Sequence, residues 1–195
     1  MRILLASNSP RRRELIGQLR LPVQTVSLQV DEHVSPTLPP YEVAEYLACR
    51  KSAAYATPLL PGEILVTADT VVIVDNRVLG KPASRTEAVE MLRLLSGREH
   101  TVDTGVCLRT CQHQSSFTER TTVHFLPLSE TIIAHYVDTY QPFDKAGAYG
   151  IQEWIGMVGI KSIEGCFYNV IGMPMARFYG ELVTLLEKEG FSLPY

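Results

Sequence analysis

Apolar and polar positions fall into short blocks along this chain, and their spacing predicts strands and helices interleaved from end to end. Ile3-Leu-Leu-Ala6 is an apolar run of strand length, opened by Arg2. A helix follows from Pro10 to about Leu19, with Ser9 as its N-cap and Pro10 as its first residue. Val23–Leu28 reads as a second strand, Val34–Pro40 as a Pro-rich loop, and Tyr41 to about Ala56 as a helix. Ile64–Val74 is a β-branched apolar strand, turned back by Asp75-Asn76 into Val78-Leu79. Ser84-Arg-Thr-Glu87 has the spacing of a capping box, and Ala88, Met91, Leu92 and Leu95 form the stripe of the helix it starts. Thr101–Leu108 and Ser116–Phe125 read as paired strands, and Ser129 caps a helix to about Thr139. The glycine-punctuated stretch Asp144–Gly172 supplies loops and short strands, and Met175–Glu189 closes as a helix.

Hairpins among the alternating elements predict a mixed α/β fold, a twisted mixed sheet with flanking helices rather than a pure βαβ array. The 195 residues suit a single domain over 1–195, and no linker is long enough to separate two independent ones. With 46% hydrophobic and 20% charged residues, a core forms without disulfide staples. A formal charge of -3 argues against a general nucleic-acid binder but leaves room for a local basic pocket. Cys49, Cys107, Cys111 and Cys166 are scattered, with no CxxC pair or zinc set, as expected of reduced cytosolic thiols. The first apolar block is too short for a signal segment, and no run approaches the ~20 residues of a membrane span. The expectation is a soluble, cytoplasmic protein.

Three arginines, Arg11, Arg12 and Arg13, occupy the first turn of the first helix. That end of a helix favours anions, so cations there make sense around an anionic ligand such as phosphate. Arg12 lies on the stripe of Leu15, Ile16 and Leu19, Arg11 at its edge, and Arg13 points away to solvent. Lys51 falls among Val43, Leu47 and Ala54, either snorkelling or reaching a charged ligand. Asp69 interrupts the Ile64–Val74 strand, where a carboxylate is costly unless paired, hydrogen-bonded or metal-bound. It reads as a structural acid, a metal ligand or a base that activates water. Thr70 beside it also fits plain strand filling. Gly80-Lys81-Pro82 puts a lysine in a rigid turn, Asp31-Glu32 offers a second carboxylate, and Gln152 ends the small-residue run Asp144–Gln152 with one donor and one acceptor for a base edge. The GxxxxGK[ST] spacing of a Walker loop is absent.

Taken in order, these stretches resemble the Maf family of nucleotide pyrophosphatases. They are Leu5-Ala-Ser-x-Ser-Pro-Arg-Arg, Asp31-Glu32, Lys51, Ala68-Asp-Thr70, Gly80-Lys-Pro82, Ser96-Gly-x-x-His100, Asp144–Gln152 and Gly172-Met-Pro174. The resemblance implies two lobes around a deep cleft, similar to the inosine-triphosphate pyrophosphatases. It makes Asp69 the catalytic acid, sets Ser7, Arg12, Lys51 and Lys81 on phosphate, and sets Arg11, Thr70 and Gln152 on the base in the branch acting on dTTP and UTP. Glu32 joins Asp69 as a metal-side carboxylate for Mg²⁺ or Mn²⁺. The implied partners are a nucleoside triphosphate and a second copy of the chain, with no nucleic acid and no membrane. The alternatives are 7-methyl-GTP or a deaminated purine triphosphate as substrate, or a nucleotide-binding cell-division regulator without turnover. Two departures from the family stand out, Thr67 two residues before Asp69 and the bulky Glu153-Trp154-Ile155 after Gln152.

Overall fold

The computed structural model describes residues 1–193. In chain order it holds β1 (Arg2–Leu5), α1 (Pro10–Gly17), β2 (Val23–Thr25), α2 (Val43–Ala54), β3 (Glu63–Val74), β4 (Arg77–Leu79) and α3 (Arg85–Leu95). Then come β5 (Glu99–Arg109), β6 (Gln114–Phe125), α4 (Glu130–Tyr140), α5 (Trp154–Gly159), β7 (Ile160–Glu164), α6 (Phe167–Ile171) and α7 (Met175–Lys188). The strands pair in the order β2-β1-β3-β5-β6-β7, with β4 on β3. β1 runs parallel to both β2 and β3, whereas β4 and β7 lie antiparallel to their neighbours. This is the mixed sheet with flanking helices that the alternation predicts.

The helix starts follow their caps. Ser9 accepts from the Arg12 N–H, Ser84 from the Glu87 N–H and Ser129 from the Ile132 N–H, each satisfying one orphan donor of a first turn. At Ser84 the return bond differs from the expected box: Glu87 Oε2 accepts from the Ala83 N–H at 2.7 Å. Pro39-Pro40 cannot enter an α-helix interior, so Pro40–Glu42 is a 3₁₀ turn and α2 starts at Val43. β2 stops at Thr25, short of the expected Leu28. Val26 and Leu28 instead pack on Leu4, Ala6 and Leu65.

The chain divides into two compact units. The first comprises Met1–Asp69, Thr104–Glu119 and the chain from Gly172 onward. Its core joins Ile3, Leu5, Ile64 and Val66 to Val106 and Leu108, and to Phe178, Leu182, Leu185 and Leu186 of α7. α2 buries Val43, Ala44, Leu47, Ala48 and Ser52; Ala54, placed by its spacing on the same face, is exposed at the last helical residue. A Cβ on Gly105 of β5 would lie 2.2 Å from the Ala44 carbonyl carbon, so the close approach of α2 and β5 requires glycine there. Thr67 is buried and donates its hydroxyl to the Ala48 carbonyl at 2.7 Å, a second tie between the sheet and α2.

The second unit comprises Thr70–Asp103 and Arg120–Ile171. Its core gathers Val72 and Val74, the α3 stripe Ala88, Val89, Met91, Leu92 and Leu95, and Ile133, Tyr136 and Val137 of α4. Arg93–Glu130 and Arg85–Asp138 ion pairs join α3 to α4. The stretch 144–172 holds two short helices, α5 and α6, besides the loops and strand its glycines announce.

Candidate functional site

Ala6 continues the β1 ladder by donating to the Val66 carbonyl, and the chain then turns through Ser7, Asn8 and Ser9 into α1. Ser7 Oγ accepts from the Ser9 N–H at 3.2 Å, holding the turn that leads into α1. Arg13 is exposed and donates to the Asn8 carbonyl, as its outward position predicts. Arg12 turns inward, and its Nε donates to the Gly172 carbonyl at 2.8 Å. Burial pushes the Arg12 guanidinium below its ordinary pKa, and Asp69 opposes that shift most; Arg11 adds to the lowering and Glu32 to the opposition. A half-buried cation is thus kept near two carboxylates and a second arginine.

The sharpest feature lies on α2 and β3. The Lys51 ammonium donates to Asp69 Oδ1 and also pairs with Glu32 Oε1 at 2.8 Å. Lys51 and Asp69 side chains are only 14% and 16% exposed, so the pair is largely withdrawn from water, while Glu32 is half open at 52%. Lys51 therefore reaches charged groups rather than snorkelling to solvent. Asp31 turns the other way, accepting from the His33 N–H and pairing with Arg50 at 3.0 Å. Only Glu32 of that acidic pair joins Asp69. The first unit thus assembles Arg12, Glu32, Lys51 and Asp69, with Arg11 close enough to act on Arg12.

Thr70, Lys81 and Gln152 lie in the second unit. Thr70 continues β3, Lys81 is exposed after β4, and Gln152 is exposed before α5. The loops bearing the last two are tied together, since the Gly147 N–H donates to the Gly80 carbonyl at 3.0 Å. Gly147 sits at φ 66°, and a Cβ there would meet Val72 of β3 at 2.9 Å. Lys145, Glu153 and Tyr136 organise this loop through contacts that the sequence does not announce. Tyr136 reads as one more apolar position of α4, and nothing in its spacing announces a hydrogen-bonding role.

Residues 2–185 match the family model described as Maf-like protein. The chain belongs to the Maf family. Among its relatives, the dTTP/UTP pyrophosphatase of Bacteroides thetaiotaomicron is 54% identical over 184 residues, covering 94% of this chain and 95% of that protein. The dTTP/UTP pyrophosphatase of Bacteroides fragilis is 50% identical over 185 residues, covering 94% and 96%. A solved structure, the nucleoside-triphosphatase / dITP/XTP pyrophosphatase of Mycobacterium abscessus, aligns with TM-score 0.40 at 19% identity, over 66% of this chain and 76% of that one. A likeness of that strength bears on neither fold nor function.

In this Maf chain, the donor set is hard and sparse. Among the described residues no three His, Cys, Asp or Glu side chains gather into a metal-holding group. What the first unit offers is two carboxylates, Asp69 and Glu32, held close enough to share one ammonium. Two carboxylates suit an octahedral oxygen-loving ion that keeps several waters and takes other ligands from substrate phosphates, the habit of Mg²⁺. The residues therefore fit such an ion and do not fit a dedicated all-protein cage. Among the described residues no helix is long and apolar enough to cross a membrane.

Proposed function

We propose that this Maf chain hydrolyses dTTP and UTP between the α- and β-phosphates, releasing the nucleoside monophosphate and pyrophosphate. The observation that carries the reading is the Lys51 ammonium shared by Asp69 and Glu32, with half-buried Arg12 beside them. Near-full-length relatives at 54% and 50% identity, named dTTP/UTP pyrophosphatases, support it.

A triphosphate carries about four negative charges near neutral pH, which a folded site holds only against cations. Arg11, Arg12, Lys51 and Lys81 are the cations assigned to it, with Ser7 adding hydrogen bonds. Phosphate competes with Asp69 and Glu32 for Lys51, so substrate frees the Asp69 carboxylate at the moment it is needed. Asp69 accepts a proton from water as the water oxygen bonds to the α-phosphorus, and the bond from that phosphorus to the bridging oxygen breaks with pyrophosphate leaving. Asp69 and Glu32 would hold a Mg²⁺ or Mn²⁺ ion, which would supply further charge neutralisation and lower the pKa of bound water. Gln152, with one donor and one acceptor, matches the carbonyl and N–H edge of uracil and thymine, and Thr70 and Arg11 complete the base contacts.

The test is pyrophosphate release with Mg²⁺ or Mn²⁺ across dTTP, UTP, CTP, 7-methyl-GTP and ITP. Turnover led by dTTP and UTP is expected. Turnover led by 7-methyl-GTP or ITP overturns the base assignment while the reaction class stands. A folded protein silent on all five with either ion overturns the proposal in favour of the regulator without turnover.

A further inference from the structure

The loop between α4 and α5 is closed by side chains. Lys145 Nζ, nearly buried, pairs with Glu153 Oε1 at 2.9 Å and with Asp144 at 2.7 Å. Glu153 Oε2 accepts from the hydroxyl of Tyr136, a fully buried residue of α4. That same hydroxyl oxygen accepts the Gly150 N–H at 3.1 Å. The chain of contacts therefore joins the start of the loop to its end and pins its middle to a helix. There is no slack in it: a Cβ on Gly150 would lie 3.0 Å from the Glu153 carboxyl carbon and 3.1 Å from Lys145 Cε.

The backbone inside the clasp is strained. Ala148 stands at φ 59°, next to Gly147 at φ 66°. A left-handed alanine costs roughly 1–2 kcal/mol and persists only where its surroundings over-determine it. Residues 147–151 are buried, and Gln152, immediately before Glu153, is exposed. A loop so held presents one polar side chain in one place.

We infer that Tyr136, Lys145 and Glu153 are positioning residues that fix Gln152, and through it the choice of base. The inference rests on the reading of Gln152 as a base contact given above. Burial, and then the bond to Glu153, push the Tyr136 phenol above its ordinary pKa, so its proton stays in place to be donated. Uracil and cytosine differ at the 4-position, an acceptor carbonyl against a donor amine, and a displaced Gln152 loses that distinction.

Tyr136→Phe and Lys145→Met, each shown to be folded by near-ultraviolet circular dichroism, are compared with the intact protein on UTP and CTP, together with hydrogen exchange at the Gly150 amide. The expected result is a KM for UTP raised about fivefold to twentyfold, kcat within about threefold, and a UTP-over-CTP preference in kcat/KM reduced about tenfold. Glu153→Gln keeps an acceptor for Tyr136 and loses the ion pair with Lys145, so its preference falls between the two. The Gly150 amide is protected in the intact protein and exchanges faster in Tyr136→Phe. An unchanged preference in both folded variants overturns the inference, as does a fall in kcat with KM and preference intact. Should the intact protein hydrolyse no pyrimidine triphosphate, the reading of the site fails on its own. Gly150 exchange then decides the clasp, since equal rates in the intact protein and Tyr136→Phe refute it.

Discussion

Lys51 on α2 donates its ammonium to Asp69 on β3, and the same ammonium holds Glu32. A strand acid and a helix cation, each awkward in its own element, satisfy one another. Lys51→Met leaves the two carboxylates without their shared cation and lowers stability by about 1–3 kcal/mol. Asp69→Asn lowers kcat by about a hundredfold to ten-thousandfold, the usual contribution of a positioned base. Urea unfolding of the two single variants and the double variant checks the pairing, because two residues in contact give non-additive losses. Additive losses would mean that the contact contributes nothing.

Arg12 contributes more than charge. Its Nε fixes it to the Gly172 carbonyl, and partial burial favours a guanidinium, which is less strongly hydrated than an ammonium. Arg12→Lys keeps the charge and loses the fork, so KM for the triphosphate rises by about tenfold or more at similar stability. Steady-state kinetics beside a thermal melt separates the two effects.

Gly105 sets how closely α2, and with it Lys51, approaches the sheet. The 2.2 Å that a Cβ would leave to the Ala44 carbonyl carbon is a clash with backbone, which has no rotamer to escape into. Gly105→Ala costs about 3 kcal/mol, at the upper end of overpacking penalties, and lowers activity by displacing Lys51. Denaturant midpoints and pyrophosphate release in the same variant report both.

His100 gives the fold a pH dependence. Burial first, and the nearby His124 charge second, lower its pKa from 6.5 to about 4. Its Nε2 hydrogen-bonds the Tyr149 hydroxyl at 2.7 Å, and Phe125 lies edge-on to its ring. A depressed histidine favours the folded state above pH 6.5 and withdraws that support as pH falls, because the unfolded chain takes up the proton first. Stability therefore drops between pH 6.5 and about 4, by on the order of 3 kcal/mol from this residue. Urea midpoints at pH 7 and pH 5 should differ less in His100→Gln than in the intact protein.

The candidate site was legible where a residue contradicts its own element. Arg12 on a buried stripe, Lys51 on an inward helix face and Asp69 in an apolar strand each broke a local rule, and the structure brings all three together. The caps at Ser9, Ser84 and Ser129 were legible because a cap is a local device. Other features were set by tertiary contact. Val26 and Leu28 have strand composition but lie beyond the end of β2, where they pack on the core, and Ala54 has the right period but ends the helix exposed. The helices at Trp154–Gly159 and Phe167–Ile171 are too short to print a period. The Tyr136–Glu153–Lys145 clasp was hidden for another reason: its members look like one core aromatic and two ordinary charges until the fold joins them.

The most direct test of the account is hydrolysis of UTP in ¹⁸O-labelled water, with the products resolved by mass and Asp69→Asn run alongside. Attack at the α-phosphorus puts the label in UMP, leaves pyrophosphate unlabelled and disappears with the Asp69 carboxylate. Label in pyrophosphate or orthophosphate, or undiminished turnover by Asp69→Asn, would contradict it.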